Sequence, residues 1–141
     1  MTRHTGDSTT LLAAIVTPGV GQGAGFIGLD WVRAAIRQSL GFDPYPGTLN
    51  LRLVDGDALD RWRGIRKHGG KLLALPPTER CGGRLIPVSV TPGIAAAVII
   101  PDVTRHGDDV LEVVAAVHLR SRLGLRDDDL LVLTHLEAAG G

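Results

Sequence analysis

Thr48 and Asn50 stand two residues apart in the run PYPGTLN, residues 44–50. Pro44 and Pro46 fix the backbone on entry. Beyond them the chain alternates polar and apolar residues as far as Val54, the pattern of a half-buried strand. Positions two apart on an extended backbone face the same side, so the pair offers one hydroxyl and one carboxamide oxygen toward a common point. Such oxygens suit Mg²⁺, which often keeps only one or two protein ligands when phosphates and water supply the rest. The competing reading is turn chemistry, in which threonine and asparagine bond the local backbone.

A second constellation is the glycine-dense stretch Gly19, Val20, Gly21, Gln22, Gly23, Ala24 and Gly25. Glycines let backbone N–H groups close around phosphate oxygens, but they also build ordinary bulged loops. Residues 23–28 match GxGxxG, yet a dinucleotide-binding fold needs several further strand–helix units, and the rest of the chain reads as strands. Gly64 and Gly69 have the spacing of a phosphate loop, but Gly70 stands where that motif requires lysine. A third constellation joins Thr104, Arg105 and His106 to Glu112. Glu112 alternates with Val110 and Val114, so period two places its carboxyl on an apolar face. A carboxyl there is either satisfied by a partner or a charge on an edge strand. No CxxC, HExxH or paired Cys/His spacing marks a metal site, and Cys81 is the one cysteine, which leaves no internal disulfide.

The elements that must position these residues are short. Residues 11–16 and 26–29 read as strands on either side of the glycine stretch. Asp30 reads as an N-cap, followed by a helix with Trp31, Val32, Ala35, Ile36 and Leu40 at helical spacing, ended by Gly41. A strand follows from Thr48, then a turn at Asp55 and Gly56, one or two helical turns over 58–62, and a basic loop over 64–70. Residues 72–75 read as a strand stopped by Pro76 and Pro77. Residues 84–90 and 95–100 form a hairpin around Thr91, Pro92 and Gly93. A strand over 110–116, helical turns over 118–123, a turn over 126–129 and a last strand over 130–136 complete the chain. Strands dominate and no fixed repeat recurs, which favours a mainly β, single-domain barrel with one or two packed helices. The expected domain covers 10–136, between a flexible leader, 1–9, and a flexible tail, 137–141.

The 141 residues suffice for one hydrophobic core. Fifteen basic and fifteen acidic residues balance to zero net charge, which, with no helix-turn-helix pattern, argues against nucleic acid as a partner. No apolar run reaches membrane-spanning length, and the first ten residues lack the apolar centre of a signal peptide. The expectation is a cytoplasmic monomer with no membrane partner.

Three segments together resemble the CTP-dependent riboflavin kinases best known from archaea: GVGQGAGFIGL, LGFDPYPGTLNLRL and VIIPDVTRHGDDVLEVVAAVHLRSRLGLRDDD. Their order and separation fit that family over residues 11–133. The resemblance implies a cradle-loop β-barrel that transfers a phosphoryl group from CTP to riboflavin, giving FMN and CDP, with Mg²⁺ as cofactor. It implies that Gly19, Val20, Gly21, Gln22, Gly23 and Ala24 form the nucleotide loop and that Val117, His118, Leu119 and Arg120 form a second nucleotide segment. It implies Thr48 and Asn50 as metal ligands, Thr104 and Glu112 as the flavin-binding pair, and, as a hypothesis, Glu112 as the residue that polarises the attacking hydroxyl. Three positions depart from the pattern. Gln22 replaces a common glutamate, Ala24 a basic residue found in some members, and Asp128 the glycine usual in the closing turn. Because the first two touch the nucleotide loop, the alternative is a barrel that binds nucleotide or flavin without turnover.

Overall fold

A computed structural model describes residues 8–19, 22–79, 82–90, 93–102 and 107–137. Seven strands form one antiparallel sheet: β1 (Ser8–Val16), β2 (Leu49–Leu53), β3 (Lys71–Leu72), β4 (Gly83–Val90), β5 (Ile94–Pro101), β6 (Val110–Ala115) and β7 (Leu130–Glu137). Six of them close a barrel in the order β4, β5, β6, β2, β1, β7, and β7 pairs back onto β4 through Ser89↔Thr134 and Val90↔Leu133. β3 occupies the earlier part of that same β4 edge, opposite Arg84 and Leu85. Closure leaves the central strands no free edge.

Period two decides which residues fill the barrel. Leu12, Ala14 and Val16 of β1, Leu49, Leu51 and Leu53 of β2, Ile86, Val88 and Val90 of β4, and Leu111, Val113 and Ala115 of β6 belong to one interior cluster. A second cluster lies on the outer face. There Leu85, Ala97, Ile99 and Val114 pack under α1 (Gln22–Ile27) and α2 (Asp30–Leu40), through Ile27, Val32, Ala35 and Ile36. β5 and β6 are thus buried on both faces, which explains their nearly continuous apolar sequence. α3 (Gly56–His68) and α4 (Leu119–Leu123) add Ala58, Trp62 and Leu119 to the interior cluster.

Several expectations are corrected. Residues 26–29, expected as a strand, hold the end of α1 and a turn. Asp30 is the first residue of α2 rather than its cap; Leu29 takes the cap position and makes no side-chain cap bond. Gly41 does end α2, in the left-handed conformation at φ 80° with its N–H on the Arg37 carbonyl. The basic stretch over 64–70 is mostly helix, since α3 runs thirteen residues. The Asp55 side chain accepts from Ala58 N–H at 2.9 Å at its start. Arg84 Nη1 donates to the Arg66 and Gly69 carbonyls, 2.9 and 3.0 Å away, at its end. Of the strand expected over 72–75 only Leu72 is in a strand, as the second residue of β3. The hairpin β4–β5, the strands β6 and β7 and the turn α4 lie where the sequence pattern places them. Among the described residues no helix is long and apolar enough to cross a membrane.

Candidate functional site

Because Leu49 and Leu51 point into the barrel, Asn50 must point out; because Leu111 and Val113 point in, so must Glu112 point out. The antiparallel register sets Asn50 directly opposite Glu112, where facing side chains lie within contact range. Among the described residues these two are the buried polar or charged ones, 8 % and 1 % exposed. Thr48 shares their face, and its Oγ1 donates to Glu112 Oε1 at 3.4 Å. Three residues singled out in sequence, from two constellations more than sixty positions apart, therefore converge on one spot.

The segment after β1 closes over that spot. Thr17 N–H donates to the Asn50 carbonyl at 2.9 Å. A Cβ on Gly19 would lie 2.4 Å from Asn50 Nδ2, so only glycine lets the backbone pass this close. Asn50 Oδ1 is buried and accepts no hydrogen bond. An orphaned acceptor of this kind carries a desolvation penalty unless a ligand answers it. A hard cation would do so, since it selects oxygen donors. No cluster of three or more His, Cys, Asp or Glu is present among the described residues; the oxygens brought together here are those of Thr48, Asn50 and Glu112.

Beside Thr48 opens a cavity of about 250 Å³. Residues 45–49 form one wall, and Val113, Ala115, Val117, His118, Leu119 and Arg120 the other. Arg120 Nη2 donates to Asp127 Oδ1 at 2.7 Å and to the Thr17 carbonyl at 3.1 Å. It thereby ties α4 to the segment that carries Gly19. The His118 ring lies on the Tyr45 ring with centroids 4.8 Å apart and planes 32° apart, and its Nδ1 is 2.6 Å from Ser121 Oγ. Tyr45 and Asp127 were not singled out in sequence. Tyr45 carries a readable signal, an aromatic between two prolines, whereas the role of Asp127 appears only once α4 and the closing turn are docked.

Gln22, Gly23 and Ala24 form the first turn of α1 rather than an open loop. Val20, Gly21 and Thr104 lie outside the described residues, as do Arg105, His106 and Cys81. The turn that follows the Thr104 segment is pinned by Arg63 Nε on Asp108 Oδ2 at 2.7 Å. The hydrogen bond from that guanidinium, with its charge, holds the Asp108 carboxyl below the usual carboxylate range and raises Arg63 in turn.

The profile of the family described as "Domain of unknown function DUF120", labelled CTP-dep_RFKase, matches residues 16–134. Curated proteins named riboflavin kinase are similar to this chain. One from Thermofilum pendens is 38 % identical over 138 residues, covering 90 % of this chain and 60 % of the relative. One from Archaeoglobus fulgidus is 35 % identical over 126 residues, covering 89 % and 54 %. One from Halobacterium salinarum is 38 % identical over 131 residues, covering 84 % and 53 %. The chain thus spans little more than half the length of these relatives.

Proposed function

The chain belongs to the family described as DUF120 and labelled CTP-dep_RFKase, and on that premise we propose that it converts riboflavin to FMN, with CTP as phosphoryl donor and Mg²⁺ as metal. The observation that carries the reading is the convergence of Thr48, Asn50 and Glu112 on one buried spot beneath Gly19. The names of the curated relatives support the same activity.

Phosphoryl transfer asks the protein for positioning and charge neutralisation more than for covalent chemistry. Thr48 and Asn50 would hold Mg²⁺, which when bound offsets negative charge on the donor phosphates. The backbone of residues 19–24 and the segment of Val117, His118, Leu119 and Arg120 brace the donor. Arg120, anchored by Asp127 and the Thr17 carbonyl, keeps those two segments in fixed relation at the cavity wall. Glu112, with Thr104, binds the ribityl end of riboflavin. Its carboxyl accepts the hydrogen bond of the attacking hydroxyl and orients that oxygen toward the phosphoryl group. A buried acceptor held in place before the substrate arrives costs no reorganisation at the moment of reaction.

The test is direct. The purified chain is incubated with riboflavin, Mg²⁺ and each of CTP, ATP, GTP and UTP, and FMN is resolved by chromatography. FMN with CTP, abolished by a chelator, is expected. Binding of CDP and riboflavin without product from any donor would establish the non-catalytic module instead. Product from ATP alone would overturn the choice of donor.

A further inference from the structure

Tyr45 combines a fixed backbone with an exposed ring. Pro44, which is buried, precedes it and Pro46 follows it. The Tyr45 N–H donates to the Ala115 carbonyl at 2.7 Å, and its own carbonyl accepts from Gly47 N–H at 2.8 Å. Its side chain stays 39 % exposed at the cavity wall. The ring against it, His118, is itself held by Ser121. Rigid, partly exposed aromatics lose little conformational entropy when a ligand covers them, which makes them binding elements.

The same cavity is lined by Thr48 and by Arg120. Oxygen donors, an arginine and a stacked aromatic pair along one cavity fit a ligand that has phosphate groups and a flat ring in one molecule. We propose that Tyr45, backed by His118, is the platform on which the nucleobase of the phosphoryl donor stacks. This rests on the kinase reading above and adds a residue to it. The flavin ring is the other flat candidate, but the cavity is walled by Val117, His118, Leu119 and Arg120, the segment assigned above to the donor, and the riboflavin titration separates the two.

The test is calorimetric titration of the wild type, Tyr45→Ala and Tyr45→Phe with CDP and, separately, with riboflavin, each with Mg²⁺ present. Base–aromatic stacking predicts that Tyr45→Ala weakens CDP by roughly 5- to 100-fold. Tyr45→Phe should stay within about two-fold of wild type, since a phenyl ring offers the same stacking face. Riboflavin affinity should be unchanged in both variants, which also shows that the barrel remains folded. Unchanged CDP affinity in Tyr45→Ala overturns the proposal. So does a loss confined to riboflavin, or a Tyr45→Phe variant as impaired as Tyr45→Ala. If the wild type binds neither ligand, the kinase reading itself fails, and the platform with it. If it binds both and Tyr45→Ala alters neither, the platform alone fails.

Discussion

Gly19→Ala tests whether Asn50 is held in place by its neighbour. The new Cβ would lie 2.4 Å from Asn50 Nδ2 and 3.0 Å from Cγ, far inside contact distance, so one group must move. Gly19 is not among the described glycines with positive φ, so the alanine backbone itself is unstrained. The contacted atoms are the end of a side chain, and the carboxamide can swing away. Overpacking of this kind costs about 1–3 kcal/mol, and each kcal/mol lowers Tm by roughly 3–5 °C in a domain of this size. The barrel should survive, with Asn50 Oδ1 displaced. Disturbing a group that positions a metal ligand typically costs about 10- to 100-fold in metal affinity. Mn²⁺ binding in the presence of CDP, followed by electron paramagnetic resonance, reads that loss, while thermal melting reads stability. The decisive comparison repeats Gly19→Ala in an Asn50→Ala background, where the clash has no partner. Both penalties should then largely vanish, since coupled neighbours are non-additive. Equal penalties in the two backgrounds would refute the mechanism and place the effect in the backbone of the segment after β1.

Three further outcomes are expected. Glu112→Gln keeps the shape of the side chain but removes its basicity; if Glu112 orients and polarises the hydroxyl, kcat should fall by about 100-fold or more, whereas a rise in riboflavin KM at constant kcat would reduce it to a binding residue. Asp128 has φ 74°, a conformation that costs a non-glycine residue about 1 kcal/mol or more; Asp128→Gly should raise Tm by a few degrees without altering turnover, and a lowered Tm would show that the aspartate side chain has its own stabilising role. The folded carboxyl of Asp108 titrates below its ordinary range because of Arg63, so the contribution of this pair is present above the unfolded carboxylate pKa of about 3.9 and is lost as pH falls through the lower folded value. With both side chains about half exposed, Asp108→Asn should change Tm only slightly at neutral pH and not at all in high salt; a large, salt-independent loss would contradict this.

The barrel was legible because its signals are local. The β4–β5 hairpin shows two apolar runs about a Thr-Pro-Gly turn, and Gly41 and Gly124 end helices in the left-handed conformation that glycine favours. Only residues 58–62 of helix α3 read as helical, its remainder hidden by its charge and by Gly64, although Asp55 as cap and Ala58, Trp62 and the partly buried Ile65 at helical spacing mark its inner stripe. Helix α1 had no such signal. Gly23 and Gly25 disfavour a helix, and the segment folds as one because Ile27 is buried on the barrel and Phe26 meets Trp31 edge to face at 5.8 Å. Tertiary packing overrode propensity there. At the site, the common face of Thr48 and Asn50 follows from period two and could be read from spacing. That Glu112 faces them could not, because the β2–β6 register is set by how the barrel closes.

That register also accounts for where the proposed chemistry lies. On the outer face Glu112 is opposite Ile99 on one side and Asn50 on the other. Ile99 and Val114, two residues along β6, belong to the apolar cluster under α1 and α2, while Asn50 and Thr48 begin a polar strip that this cover does not extend over. Glu112 therefore stands at a seam between a dry layer and a polar one. Hydrophobic packing alone would favour an aliphatic residue at this position. On the proposed mechanism, a carboxyl here places an acceptor where water is scarce but a polar neighbour is in reach, the arrangement in which electrostatic positioning is most effective. The glycine at position 19 serves the same end from the other side, since a Cβ there would press on the Asn50 carboxamide.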